Sequence, residues 1–171
     1  MIVGFWYRFE MAMRGLTPVV TILMLALLAV VPLRIPEFAP ITPALTVIAV
    51  YYWGIYRPDL TPMAAIFAVG IVQDAVAGTP LGLTSLVLIV VRAMVVSQRR
   101  FFHGKTFLVE WWGFMLVAPG AALLSWVLAS IYFGVLVAPR PLGFQLLLTI
   151  ALYPGLTWLF ARAQQHLPRP A

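Results

Sequence analysis

Cysteine is absent from the 171 residues, which excludes disulfides, thiol nucleophiles and cysteine-ligated metals and leaves the redox compartment unread. Charge is nearly as scarce. Only 9% of residues are Asp, Glu, Lys or Arg, against about 25% in a soluble domain, and no water-facing surface of ordinary size can be assembled from so few. Acids are the scarcest of these, five against eleven Lys and Arg. The two histidines, His103 and His166, fall in polar stretches and form no ligand cluster. The chain lacks H-E-x-x-H for zinc, G-x-x-x-x-G-K-[ST] for nucleotide phosphates, the G-x-S-x-G nucleophile turn and G-x-G-x-x-G. No enzyme, cofactor or metal site is therefore expected. The net charge of +6 is read as a topology determinant rather than as a nucleic-acid surface.

What the chain has instead is apolar length. Hydrophobic residues make up 63% of it, and crossing about 30 Å of hydrocarbon takes about 20 of them in a helix. The expected fold is all-α, a polytopic transmembrane bundle in a single domain with spans near 15–33, 38–56, 61–77, 81–97, 108–138 and 141–161, followed by a tail over 162–171. The fifth segment, uncharged from Trp111 to Ala138, is read as one tilted helix bent at Pro119-Gly120. Segments 61–77 and 81–97 meet at Gly78-Thr79-Pro80, a turn signal. They are either two short spans, giving six in all, or a re-entrant hairpin, giving five. The N-terminal stretch shows no small-x-small cleavage site, so retention as the first helix is expected over removal as a signal peptide. Met1–Arg14 is either an interfacial helix or a frayed end.

Orientation follows from the cations. With the N-terminus inside, Arg8, Arg14, Arg57, Arg99, Arg100, Lys105, Arg162 and Arg169 lie in inner segments, and only Arg34 and Arg140 in outer loops. Eight against two places both termini in the cytoplasm under the positive-inside rule. Arg92, inside the fourth span, is expected to snorkel to the inner headgroups. The interfacial aromatics Tyr51, Tyr52, Trp53, Tyr56, Trp111, Trp112 and Trp158 fit the same frame.

Most of the turn and acid chemistry is concentrated between Tyr56 and Gly82. Arg57 and Asp59 bracket Pro58 in a tight inner loop, where Asp59 or Thr61 can cap the next helix. Asp74 stands about one turn from the outer end of a hydrophobic segment. Acids at such depth are expensive and commonly mark function or pair within a bundle. Two readings stay open for it: acceptor for the Gly78–Gly82 turn, or part of a partner or ligand site with Gln73. Glu110 is read as an interfacial helix-start acid. Arg99, Arg100 and Lys105 form a cytoplasmic basic loop that meets lipid headgroups but falls short of a four-to-eight-residue recognition cluster. Asp59 and Asp74 sit near opposite membrane faces in this topology, too far apart to share general acid–base work.

The block Tyr52-Trp53-x-Ile55-Tyr56-Arg57-Pro58-Asp59-Leu60, then Gly70-x3-Asp74-x3-Gly78-x-Pro80-Leu81-Gly82, then Gln98-Arg99-Arg100-x-Phe102, resembles the rod shape-determining MreD family. The close match covers roughly Tyr52–Trp112. The resemblance implies a non-catalytic scaffold of the cell-elongation machinery in the bacterial inner membrane. It implies direct binding of MreC and, directly or through it, of MreB and of RodA with a class B penicillin-binding protein, in support of rod shape and lateral peptidoglycan synthesis. It also implies a fold related to the S components of energy-coupling-factor transporters, and with it the rival reading of a small-solute binding or transport subunit. Arg57, Pro58, Asp59, Asp74, Gly78, Pro80 and Gly82 are the motif positions expected to serve structure or partner binding. Pairs of small residues, Ala64 and Ala68 or Ala118 and Ala122, have the spacing that allows a partner helix to approach closely.

Overall fold

A computed structural model describes residues 2–30, 43–102, 104–136 and 139–165, with side chains from residue 16 onward apart from that of Phe102. Six α-helices account for nearly all of them: α1 (Ile2–Val30), α2 (Leu45–Tyr56), α3 (Met63–Ala77), α4 (Leu83–Phe102), α5 (Phe107–Phe133) and α6 (Arg140–Gln164). A 3-10 turn, Pro58–Leu60, joins α2 to α3, and no strand occurs among the described residues. Arg34, His103, His166, Arg169 and the 38–42 portion of the second expected span lie outside the described residues.

The shortest of these helices is the centre of the bundle. Every residue of α2 from Leu45 to Ile55 is buried, because α1, α4, α5 and α6 all pack around it. Its uniform apolarity has that consequence, since a helix without a polar face has none to offer water. Trp53 and Tyr51 are fully buried in its C-terminal half, with Tyr153 of α6 and Phe114 of α5. The rings interlock: Phe114 stacks on Tyr153 with centroids 4.4 Å apart, and Tyr51 meets Phe114 edge-on at 5.2 Å.

α3 and α4 form a tight antiparallel hairpin. A Cβ built on Gly70 would fall 2.5 Å from the Ser85 Cα, so only glycine allows this backbone approach. The Ser85 hydroxyl, buried at the crossing, donates to the Phe67 carbonyl at 3.0 Å. At the tip, Gly78 ends α3 in the left-handed conformation at φ +70°, and Gly82 at φ +96° precedes α4. Both angles suit glycine because a Cβ clashes there.

The outer helices turn apolar faces away from the protein. α5 and α6 are long and apolar enough to cross a bilayer, yet only 17% and 22% of their most apolar windows are buried. Leu108, Trp112, Leu116, Leu123, Val127 and Ile131 line the outward stripe of α5. Large exposed apolar surface of this kind marks contact with lipid or with another protein rather than with water.

Several helix bounds differ from the hydropathy reading. α1 is continuous from Ile2, so residues 2–14 extend the first helix instead of forming a separate interfacial one. α4 runs to Phe102, which places Arg99 and Arg100 in its last turn rather than in a loop. Hydropathy stops at Ser97 because polar residues begin there. The helix continues because Gln and Arg are good helix formers and cations are favoured at its negative end. Only Lys105 of the three basic residues lies in the connection to α5.

Candidate functional site

Of the expected motif residues, the structure gathers one group at each end of α3. Asp74 lies eleven residues beyond Met63, the start of α3, roughly 17 Å at 1.5 Å per residue, so Asp59 and Asp74 share no site.

At the first end, Pro58 opens the 3-10 turn and Asp59 occupies it. Arg57, only 8% exposed, donates from Nη2 to Asp59 Oδ2 at 3.3 Å. The pair is held from a direction the sequence does not reveal. Arg92 of α4 donates from Nε to the Thr61 carbonyl at 2.6 Å and from Nη2 to the Pro58 carbonyl at 3.2 Å. Its guanidinium thus satisfies carbonyls of the turn, a role that the expectation of snorkelling did not include. A planar fork holds its donors in fixed directions toward two acceptors, whereas a lysine ammonium offers three donors from a single atom on a flexible stem.

At the other end Asp74 is fully buried, and four donor contacts reach its carboxylate. Oδ1 accepts from the Thr79 hydroxyl at 2.9 Å and from the Thr84 amide at 3.3 Å. Oδ2 accepts from the Gly82 amide at 2.9 Å and again from Thr84 at 3.1 Å. Asp74 therefore caps the start of α4 from the end of α3, where helix amides lack partners and a negative charge is favoured. Pro80 holds the same turn by accepting from the Leu83 amide at 3.2 Å.

A third polar centre was read too lightly in the sequence. Glu110 stands in the first turn of α5, as a helix-start acid should, and is also buried in the bundle at 5% exposure. Tyr56 of α2 donates to its Oε1 at 2.6 Å, and Tyr51 donates to its backbone carbonyl at 2.9 Å. Tyr52, one face over, donates to Gln164 Oε1 of α6 at 2.9 Å. The signal in the sequence was the spacing Tyr52-x3-Tyr56, which puts two phenols on one face of a helix. Their acceptors, Gln164 and Glu110, lie 112 and 54 residues on and share no local pattern with them.

Gln73 lies apart from Asp74 despite their adjacency. Its Oε1 accepts from Thr46 of α2 at 2.8 Å, and it lines a partly open cavity of about 130 Å³ with Thr46, Thr84, Ser125 and Gln145. Asp74 is not part of that lining. Of the small-residue pairs, Ala118 is buried in the bundle and Ala122 is partly buried, whereas Ala64 and Ala68 are exposed on α3.

No metal-holding group of three or more His, Asp or Glu occurs among the described residues. No curated protein and no solved structure matches the chain. The architecture is that of a helical membrane protein whose polar groups tie helices together, and a family model described as rod shape-determining protein MreD matches residues 10–163. The chain therefore belongs to the MreD family of rod shape-determining membrane proteins.

Proposed function

We propose that this protein is a non-catalytic, multi-pass scaffold of the cell-elongation machinery in the bacterial inner membrane, with both termini in the cytoplasm. It binds MreC directly. MreB and RodA with its class B penicillin-binding protein join directly or through MreC, and the assembly supports rod shape and lateral peptidoglycan synthesis. The observation that carries this reading beyond family membership is the outward face of α3. Ala64 and Ala68 are exposed there, one turn apart, between the half-exposed Met63 and Phe67. In lipid, helices associate through close packing at small residues, and this face offers such a line to the spanning helix of MreC. The Arg57-Pro58-Asp59 turn and the Asp74-Gly78-Pro80-Gly82 turn present the two ends of α3 to the partner's flanking segments.

Replacing Ala68 by Leu tests it. The expected result is a loss of MreC from the purified complex at unchanged membrane levels of this protein. Full retention of MreC would exclude the α3 face. Depletion in a rod-shaped cell is expected to give round cells, and retained rods would count against the role as a whole.

One observation favours the rival, a small-solute binding or transport subunit. The cavity beside Gln73 is lined by five hydrogen-bonding side chains and no charged one, a chemistry suited to a neutral solute. A neutral metabolite that co-purifies with the wild type and is lost in Gln73→Leu would support that reading.

A further inference from the structure

Proline–glycine pairs stand inside both α5 and α6, at Pro119-Gly120 and Pro154-Gly155. A proline within a helix has no amide to bond back to the carbonyl four residues earlier, and its ring crowds that carbonyl. The turns 115–119 and 150–154 are therefore the weak points of these helices. They lie at one level of the bundle: Phe114 stacks on Tyr153 at 4.4 Å on one side of them, and Ala118 and Thr149 line one small cavity on the other. Neither glycine is required by packing, because a Cβ built on Gly120 or Gly155 meets nothing within 4 Å. What glycine supplies at both places is backbone freedom.

The weak points divide each helix into a firmly and a loosely held half. On the side of Phe107 and Gln164, Tyr51 and Tyr56 of α2 donate to Glu110, Tyr52 donates to Gln164, and Phe114, Tyr153 and Phe160 are buried. On the other side no residue from Ala122 to Phe133 or from Arg140 to Leu148 is buried among those described. These two stretches are neighbours in the chain and form one arm. Open space separates the arm from the rest of the protein. Its Ser125 and Gln145 share the partly open cavity of about 130 Å³ with Thr46, Gln73 and Thr84. Its Tyr132 and Phe133 border an open depression of about 520 Å³ with the Gly78–Leu81 turn. At the base of the arm the Ala44 amide donates to the Thr149 hydroxyl at 3.0 Å and ties α6 to the start of α2.

We infer that this arm swings as a unit about the Pro119-Gly120 and Pro154-Gly155 hinges, with the Ala44–Thr149 bond as its latch, and so opens and closes the polar cavity beside Gln73. Hinges of this kind are a few residues that absorb the change in backbone angles, and proline is the usual cause of a sharp bend in a helix. A hinge in one helix alone would shear it against its neighbour. Two at the same level let α5 and α6 bend together and keep their mutual packing. The open space at the cavity and at the depression lets the arm move without first displacing close-packed side chains, which resist it elsewhere. The motion involves neither the α3 face nor the Arg57–Asp59 turn, and it is measured without any solute, so it stands or falls independently of both functional readings.

The absence of cysteine allows spin-label pairs to be placed uniquely on the full-length protein in lipid nanodiscs. One pair, Val76→Cys with Leu147→Cys, relates α3 to the arm. A second, Met63→Cys with Leu159→Cys, relates α3 to the firmly held half of α6, and all four positions are exposed. Pulsed electron paramagnetic resonance is expected to give one narrow distance for the second pair and two populations for the first. Gly120→Ala with Gly155→Ala, which the space around both residues accommodates, is expected to shrink the second population. Pro119→Ala with Pro154→Ala, which restores both amides, is expected to abolish it. Thr149→Val is expected to enlarge it roughly fivefold, the change in equilibrium that follows from losing one hydrogen bond. A first pair as narrow as the second overturns the inference. So does a spread that survives the proline variants, or one that Thr149→Val leaves unchanged, and the glycine variants keep the inference testable if the proline variants fail to fold.

Discussion

The guanidinium of Arg92 bonds to the carbonyl of Thr61, 31 positions earlier, at 2.6 Å, and so fastens α4 to the turn that carries Arg57, Pro58 and Asp59. A cation within an apolar helix must find acceptors or water. Here it finds two backbone carbonyls of the 3-10 turn, those of Thr61 and Pro58. The turn is thereby placed by a residue outside it, and its geometry depends on the α3–α4 hairpin.

Arg92→Lys should therefore loosen the turn although charge is conserved. A single ammonium cannot reproduce the fork, and the loss expected for hydrogen bonds from a charged donor is about 1.5–3 kcal/mol. Thermal unfolding of the detergent-purified protein should show a lower midpoint, and Arg92→Met a lower one still. An unchanged midpoint for both would mean that the contacts to Thr61 and Pro58 contribute nothing.

Asp74→Asn keeps the shape of the side chain but removes the charge that faces the first amides of α4. The expected cost is about 1–2 kcal/mol from the weakened cap and lost macrodipole term. Thr79→Val, which removes one of the four donor contacts, should cost less. The order of the two midpoints is the measurement, and a larger effect of Thr79→Val would contradict the capping role assigned to the carboxylate.

Glycines at different positions should respond differently to alanine. Gly70→Ala drives a methyl into the Ser85 backbone, and overpacking of this kind costs about 1–3 kcal/mol. Gly120 has nothing within 4 Å of its built Cβ and lies inside α5. There alanine should be neutral or should stabilise the helix by up to about 1 kcal/mol. Similar midpoints for the two variants would argue against the close α3–α4 crossing.

Topology is open to a direct check. Reporter fusions after Arg34 and Arg140 should report the periplasm, and a fusion after Arg100 the cytoplasm. The reverse pattern would invert the orientation and move Glu110 to the outer side.

Much of the secondary structure is visible in the sequence because it depends on local quantities. Apolar runs predict six helices, and Gly78 and Gly82 punctuate the α3–α4 turn through a backbone preference that holds whatever surrounds them. The polar centres were harder to see. That Glu110 starts a helix is legible in the sequence, but its neighbours, Val109 and Trp111, say nothing about its contacts with Tyr51 and Tyr56. Arg92 looked ready to snorkel because the carbonyls it reaches belong to another helix hairpin arm. Gln73 and Asp74 looked like one site because they are adjacent, yet side chains one residue apart on a helix point about 100° apart.

Composition alone determined that this chain is membrane-bound in character and poor in chemistry: with 9% charge and no cysteine there is neither a wettable surface nor a thiol. Tertiary structure decided which of the few polar groups meet. That depends on how α2, the shortest helix, threads the bundle centre and brings Tyr51 and Tyr56 against Glu110. Hydropathy cannot reveal it, because in an apolar chain every helix face suits lipid almost equally well, and only packing and hydrogen bonds distinguish inside from outside.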